Sequence, residues 1–424
     1  MNKTKLSLAL LLLGTSIAIA EDVPVLNVGG TKISLYGYLQ LNAVYEDGAS
    51  ETQGDHYSRW ANSEADKADG HFWMNPNSTR LGFNFSGPQT EGKPEVSGKL
   101  ETDFNNGNPN RQNNGAFRIR HSYGQIKFKD LGLSILMGQS SDLIAPLGAP
   151  TINQAGLEGS GSLGTRRPQI RLTEAVGPVE VAVAVTNDRT RTDINAIAPA
   201  FQGSLGAKIP AVWAGEKQSV QVILSGHYAL NETAGNTKNE VAAKDTLAVH
   251  GYPTSWSGVA SLSVPVISIL KLSGEMFYGQ ELNRYNSGSI GLTNSNSYTA
   301  EVKEVKDKDG NVTTKYAPPN VGWGKNTGVQ SIGGWGALEL KLGDFAVAGG
   351  VGVEAIDENR NAGAGTRDNN MTIFGNLKYN VAETLWLGLE YSNIKTEYRN
   401  DSKGNDVKDG KLNRVELGLN YAFK

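Results

Sequence analysis

The chain has 424 residues with 51 glycines, 15 prolines, no cysteine, 38% hydrophobic residues and a formal net charge of −3. That charge excludes a basic nucleic-acid binder, and the lack of cysteine excludes a disulfide framework. A polar, glycine-rich composition suits alternating strands joined by many turns, and the length admits either two soluble domains or one large barrel.

Lys3 and Lys5 precede an apolar run from Leu6 to Leu13 and small residues ending in Ala18-Ile19-Ala20. This pattern predicts a signal peptide over residues 1–20, cleaved before Glu21, and so an exported chain 21–424. No later stretch approaches the roughly 20 consecutive apolar residues of a transmembrane helix. From Ile33 the odd positions read Ile33, Leu35, Gly37, Leu39, Leu41, Ala43, Tyr45, while the even ones include Lys32, Ser34, Gln40 and Asn42. Period two sustained this far predicts a strand of membrane length, since a tilted membrane strand needs roughly nine to eleven residues. The same dyad recurs at 179–186, at 270–278 and at the end of the chain, where Val415, Leu417, Leu419, Tyr421 and Phe423 alternate with Arg414, Glu416, Gly418, Asn420 and Ala422.

Strands are predicted near 33–45, 78–86, 95–104, 117–128, 133–139, 166–174, 179–187, 204–213, 219–230, 256–265, 269–280, 331–342, 345–355, 371–380, 385–398 and 411–423. The connections alternate, with long segments after odd strands and short ones such as Asp130-Leu131-Gly132 and Gly343-Asp344 after even strands. Short periplasmic turns and long outer loops produce this rhythm. The predicted fold is therefore all-β: an antiparallel transmembrane barrel of about sixteen strands in an outer membrane, surrounded by lipid and lipopolysaccharide. Outward aromatics near strand ends, among them Tyr45, Phe117, Tyr228, Tyr379 and Tyr421, fit interfacial girdles.

The connection at 140–165, SSDLIAPLGAPTINQAGLEGSGSLGT, is small and apolar where other loops are charged. It is predicted to fold inward and narrow the lumen. Lumen-parity arginines flank it: Arg80, Arg118, Arg120, Arg167 and Arg171. A guanidinium stays charged and its fork matches carboxylate oxygens, so such a wall attracts small anions. Glu101, Asp103, Asp142 and Glu158 are expected to face it and set up a transverse field. The alternative for these residues is ion pairing that stiffens the wall.

Six segments stand out: Thr79-Arg80-Leu81-Gly82-Phe83, Phe117-Arg118-Ile119-Arg120-His121-Ser122-Tyr123-Gly124, Leu136-Met137-Gly138-Gln139, Arg166-Arg167-Pro168-Gln169-Ile170-Arg171, Gly274-Glu275-Met276-Phe277-Tyr278-Gly279 and Gly333-Gly334-Trp335. With them the chain resembles the trimeric sixteen-stranded porins, most closely the DcaP-like group. The resemblance implies a homotrimer, a third loop folded into each pore, and an arginine-rich constriction that passes small anions such as dicarboxylates. Carried over, that role falls on Arg80, Arg118, Arg120, Arg167 and Arg171. Two features depart from the group: the first strand begins soon after the leader, without the N-terminal coiled coil that members can carry, and Phe423 is followed by Lys424.

Signals for enzymatic or cofactor chemistry are weak. The five histidines lack metal-ligand spacing, and no nucleophile elbow or phosphate loop occurs. Gly350-Val351-Gly352-Val353-Glu354-Ala355 mimics a dinucleotide fingerprint but lies inside an alternating strand, where small residues let strands pack. Lys308-Asp309-Gly310-Asn311 predicts a hairpin tip, and calcium between Asp307 and Asn311 is disfavoured because the glycine comes too early. Competing functions are an adhesion or structural barrel working through the loops at 46–77 and 281–330, and a barrel enzyme.

Overall fold

The computed structural model describes residues 26–51, 58–63, 70–106, 115–187, 199–213, 216–229, 254–284, 290, 303–306, 309–316, 329–358, 365–401 and 403–423. The predicted leader, residues 1–20, lies outside them, as do much of the two long polar loops and Asp307 of the calcium reading. Strands form one continuous antiparallel sheet in chain order: β1 (Thr31–Glu46), β2 (His71–Asn75, continued as Arg80–Ser86), β3 (Glu95–Asp103), β4 (Arg118–Phe128), β5 (Leu133–Ser141), β6 (Arg166–Val176), β7 (Val179–Thr186), β8 (Ala200–Trp213), β9 (Glu216–Ala229), β10 (Ser255–Ile267), β11 (Leu270–Gln280), β12 (Gln330–Leu342), β13 (Phe345–Glu358), β14 (Arg367–Ala382), β15 (Leu385–Tyr398) and β16 (Gly410–Phe423). The last strand pairs with the first, from Gly37 opposite Phe423 to Glu46 opposite Arg414, and closes a sixteen-stranded barrel. Closure leaves the sheet no edge to recruit another chain. A short hairpin outside the barrel pairs Lys303–Lys306 with Val312–Tyr316 around Gly310, whose φ of 82° suits glycine at a tight turn.

Side-chain parity divides the wall as the alternation predicts. Leu39, Leu41 and Tyr45 of β1 are exposed on the outside, while Gln40, Asn42 and Glu46 are buried inside; on β16 Val415, Leu417 and Leu419 are exposed and Arg414, Glu416 and Asn420 buried. The exposed large apolar side chains recur around the whole ring, including Val183, Leu224, Met276, Val351 and Leu389. An apolar belt of this extent on a closed sheet is a lipid-facing surface.

Two strands depart from the simple dyad. β2 is broken after Asn75 because Pro76 has no N–H to give the ladder. The Asn75 side chain accepts from Asn77 N at 2.6 Å, and Thr79 Oγ1 takes up the freed Gln40 N–H at 3.1 Å. On β4, Glu101 opposes His121 while Thr102 opposes Ile119, which makes Arg120 the extra residue of a β-bulge. The bulge shifts parity, so Arg118 and Arg120 above it and Tyr123 below it all face inward.

Candidate functional site

The connection between β5 and β6 runs inside the barrel. Its base is tied by Asp142, whose backbone N–H donates to Thr165 O at 2.8 Å and whose carboxylate accepts from Thr165 N at 2.9 Å, Gln202 Nε2 at 2.8 Å and Arg167. From there the loop crosses to the β8–β16 side of the barrel. Leu143 N donates to Gln202 at 2.8 Å, Leu147 N to Glu275 at 2.8 Å, and Ile152 N and Asn153 N to the two oxygens of Glu390 at 2.5 and 3.2 Å. Buried loop amides thus find amide and carboxyl acceptors on the wall, which a buried loop requires. Apolar contacts complete the docking. Ile144 and Leu163 pack with Val259 and Phe277, and Leu157 packs with Trp335, Ala337 and Phe374.

Glycines set how closely loop and wall approach. A Cβ on Gly352 would lie 2.0 Å from Ser160 O, and one on Gly161, whose φ is 98°, would lie 2.1 Å from Gly334 O. Gly352 of the fingerprint-like run is therefore the seat of the loop backbone. Gly352→Val is expected to lift the loop, lower thermal stability by about 1–3 kcal/mol and expose residues 140–165 to protease. Wild-type melting and protection would contradict this packing.

Opposite the loop, β1–β6 carry a dense cationic wall. Arg118 grips Asp103 with two bonds, Nε to Oδ1 at 2.9 Å and Nη2 to Oδ2 at 2.7 Å. Arg120 spans both acids, at 2.7 Å to Glu101 and 2.9 Å to Asp103. Arg80 lies 3.5 Å from Glu101 and its guanidinium stands 5.0 Å from the Tyr38 ring; Lys99 lies 3.4 Å from Glu101 and 5.1 Å from the Tyr36 ring. Tyr36 donates to Glu101 at 2.8 Å. Glu101 and Asp103 thus sit on the arginine wall itself and partly neutralise it, whereas the sequence reading has them facing it. Two carboxylates among Arg80, Lys99, Arg118 and Arg120 leave positive charge in excess.

The other predicted residues separate. Arg167 and Asp142 are buried at 3% and 5% exposure and paired at 3.1 Å, so they tie down the loop base and present no open charge to the lumen. Its neighbour Arg166, outside the predicted set, is half-buried beside Arg118 and Arg120, and its side chain has no hydrogen bond or ion pair among the described residues. Arg171 stands deeper, toward the short-turn end, bonded to Gln169 at 2.9 Å and to Ser141 O. Glu158 projects from the loop 3.8 Å from Arg59, within the fields of Arg166 and Arg118.

The side chain of Glu158 keeps 38% of its surface open, yet protein closes around it on most sides. Desolvation raises its carboxyl above the ordinary value against the pull of Arg59, Arg166 and Arg118. It therefore takes up a proton at higher pH than a free glutamate, whose value is about 4.3. Acidification through that raised value removes a negative charge facing the arginines. Any preference of the lumen for anions should rise in this step, and Glu158→Gln should show the acid-form preference at every pH. Reversal potentials measured from pH 7.5 to 4 check this; an unchanged step in the variant would assign it elsewhere.

No protein-family model and no curated protein matches the sequence. Solved structures do. The DcaP outer-membrane channel of Acinetobacter baumannii is 20% identical, with TM-score 0.68 over 94% of this chain and 99% of that one. OmpT of Vibrio cholerae is 11% identical, with TM-score 0.55 over 94% and 100% of the two chains. An anion-selective porin from Comamonas acidovorans is 10% identical, with TM-score 0.55 over 93% and 100%. With its closed sheet, apolar belt and inward loop, the chain is an outer-membrane β-barrel that shares the fold of these proteins.

Proposed function

We propose that the chain is a porin, a water-filled channel for passive diffusion of small hydrophilic solutes that favours anions, carboxylates in particular. The observation that carries this reading is the cationic wall of Arg80, Lys99, Arg118, Arg120 and Arg166, neutralised only in part and set opposite an inward loop. Loop and wall together narrow the lumen, so a solute passes within reach of the guanidinium forks. Their donors replace water around a carboxylate without reorganising, whereas a cation meets net repulsion.

A bilayer holding the purified protein under a tenfold salt gradient tests the proposal. The expected reversal potential has the sign of chloride preference, and conductance should appear in triplet steps if the unit is a homotrimer. Cation preference would sink the anion reading, and no conductance would sink the channel itself.

A further inference from the structure

We infer that the pore holds a second anion station below the inward loop, built for a carboxylate attached to an apolar body. It rests on the channel reading but occupies a different place. A cavity of about 720 Å³ lies at the short-turn end, between the underside of the loop and the wall of β6–β9. Its volume falls within the range of roughly 300–1,000 Å³ usual for small-molecule sites.

Two cations and an apolar surface meet there. Arg171 and Lys208 both line the cavity, and neither has an ion-pair partner among the described residues. The Arg171 guanidinium is held in place by Gln169 and Ser141 O, so its remaining donors are oriented at no further entropic cost. Leu143 and Pro146 from the loop and Ile223 from the wall supply the apolar side. Glu180 also lines the cavity and disfavours a dianion relative to a monoanion.

The station is distinct from the arginine wall above. Arg171 opposes Leu136, which opposes Gln125, whereas Arg118 opposes Asp103 at the far end of the same sheet segment. A solute leaving the upper wall meets Arg171 and Lys208 next, and its apolar part can shed water against Leu143, Pro146 and Ile223. Acetate has too little apolar surface to profit, whereas benzoate can bury a ring on that side.

The test uses the full-length protein in a planar bilayer, with benzoate or acetate added to the side facing the short turns. Benzoate should interrupt chloride current at least fivefold longer per event than acetate. Arg171→Gln, Lys208→Gln and Ile223→Gln should each bring benzoate down toward acetate, while Lys395→Gln, at the loop end of β15 and paired with Glu397, should leave the ratio of the two as in wild type. Equal block by the two anions in wild type, or an unchanged ratio in all three cavity variants, overturns the station. The reversal potential reports separately on anion preference, so failure of that reading is seen without the block assay. Lys208 is solvent-exposed, so its variant keeps the test open should Arg171→Gln fail to fold.

Discussion

Arg120→Gln should lower the anion-over-cation permeability ratio by on the order of tenfold. A unit charge about 4 Å from a permeating anion contributes about 1 kcal/mol in water and about 4 kcal/mol at an effective dielectric near 20. A loss between these limits is near the 1.4 kcal/mol that corresponds to a tenfold change. The effect is compounded here because Arg120 also neutralises Glu101 and Asp103, and its removal returns part of their negative charge to the lumen. Arg120→Lys keeps the charge but loses the fork, so it should keep the sign of the preference and lose part of its size. The measurement is a reversal potential in a salt gradient, and an Arg120→Gln channel as selective as wild type would remove Arg120 from the filter.

Arg414→Met should cost about 3–5 kcal/mol of stability, the penalty of leaving a buried charge without its partner. Arg414 is 1% exposed at the seam where β16 meets β1. It bonds Glu46 at 2.7 Å and Glu416 at 2.8 Å, and Asn42 donates to Glu416 from the facing strand. Truncating it strands two buried carboxylates. Neutralising the acids as well, in a Glu46→Gln, Arg414→Met, Glu416→Gln triple variant, should recover most of the loss, because a buried ion network adds little net stability over a neutral replacement. Urea titration of the folded barrel, followed by tryptophan fluorescence, reads both. A single variant within 1 kcal/mol of wild type would show the seam does not depend on the triad.

The arginine wall was half legible in the sequence. Arg80, Arg118 and Arg120 could be assigned to the lumen because each stands among apolar residues of the opposite parity. Their acidic partners could not be assigned, since a count of charges carries no register. Only the pairing of Arg80 and Arg118 with Asp103 puts that acid on their own wall. The bulge at Arg120 does leave a trace: the outward apolar residues are odd at Phe117 and Ile119 and even at Ile126 and Phe128. Arg166 and Arg167 show the limit of parity. The inward one is consumed by Asp142 at the loop base, and its neighbour at the strand mouth keeps the open guanidinium.

The inward loop was legible from its own apolar composition, but not its seat. Phe277, Trp335 and Phe374 are apolar on the water-facing parity, and the structure shows why: they lie under Ile144, Leu163 and Leu157. That mismatch is a signal a sequence reading could use. The broken start of β2 is not legible because the five residues His71–Asn75 before Pro76 are too few to show a period.

What the sequence by itself determined is the barrel. Period two, strand length and the alternation of short turns with long loops are local properties, and solvent on one face with lipid on the other imposes them on every strand. What only the tertiary structure decided is which charges are spent and which are left open. That depends on register between strands and on where one loop docks, and both bring together residues far apart in the chain, such as Ile152 with Glu390 or Glu46 with Arg414.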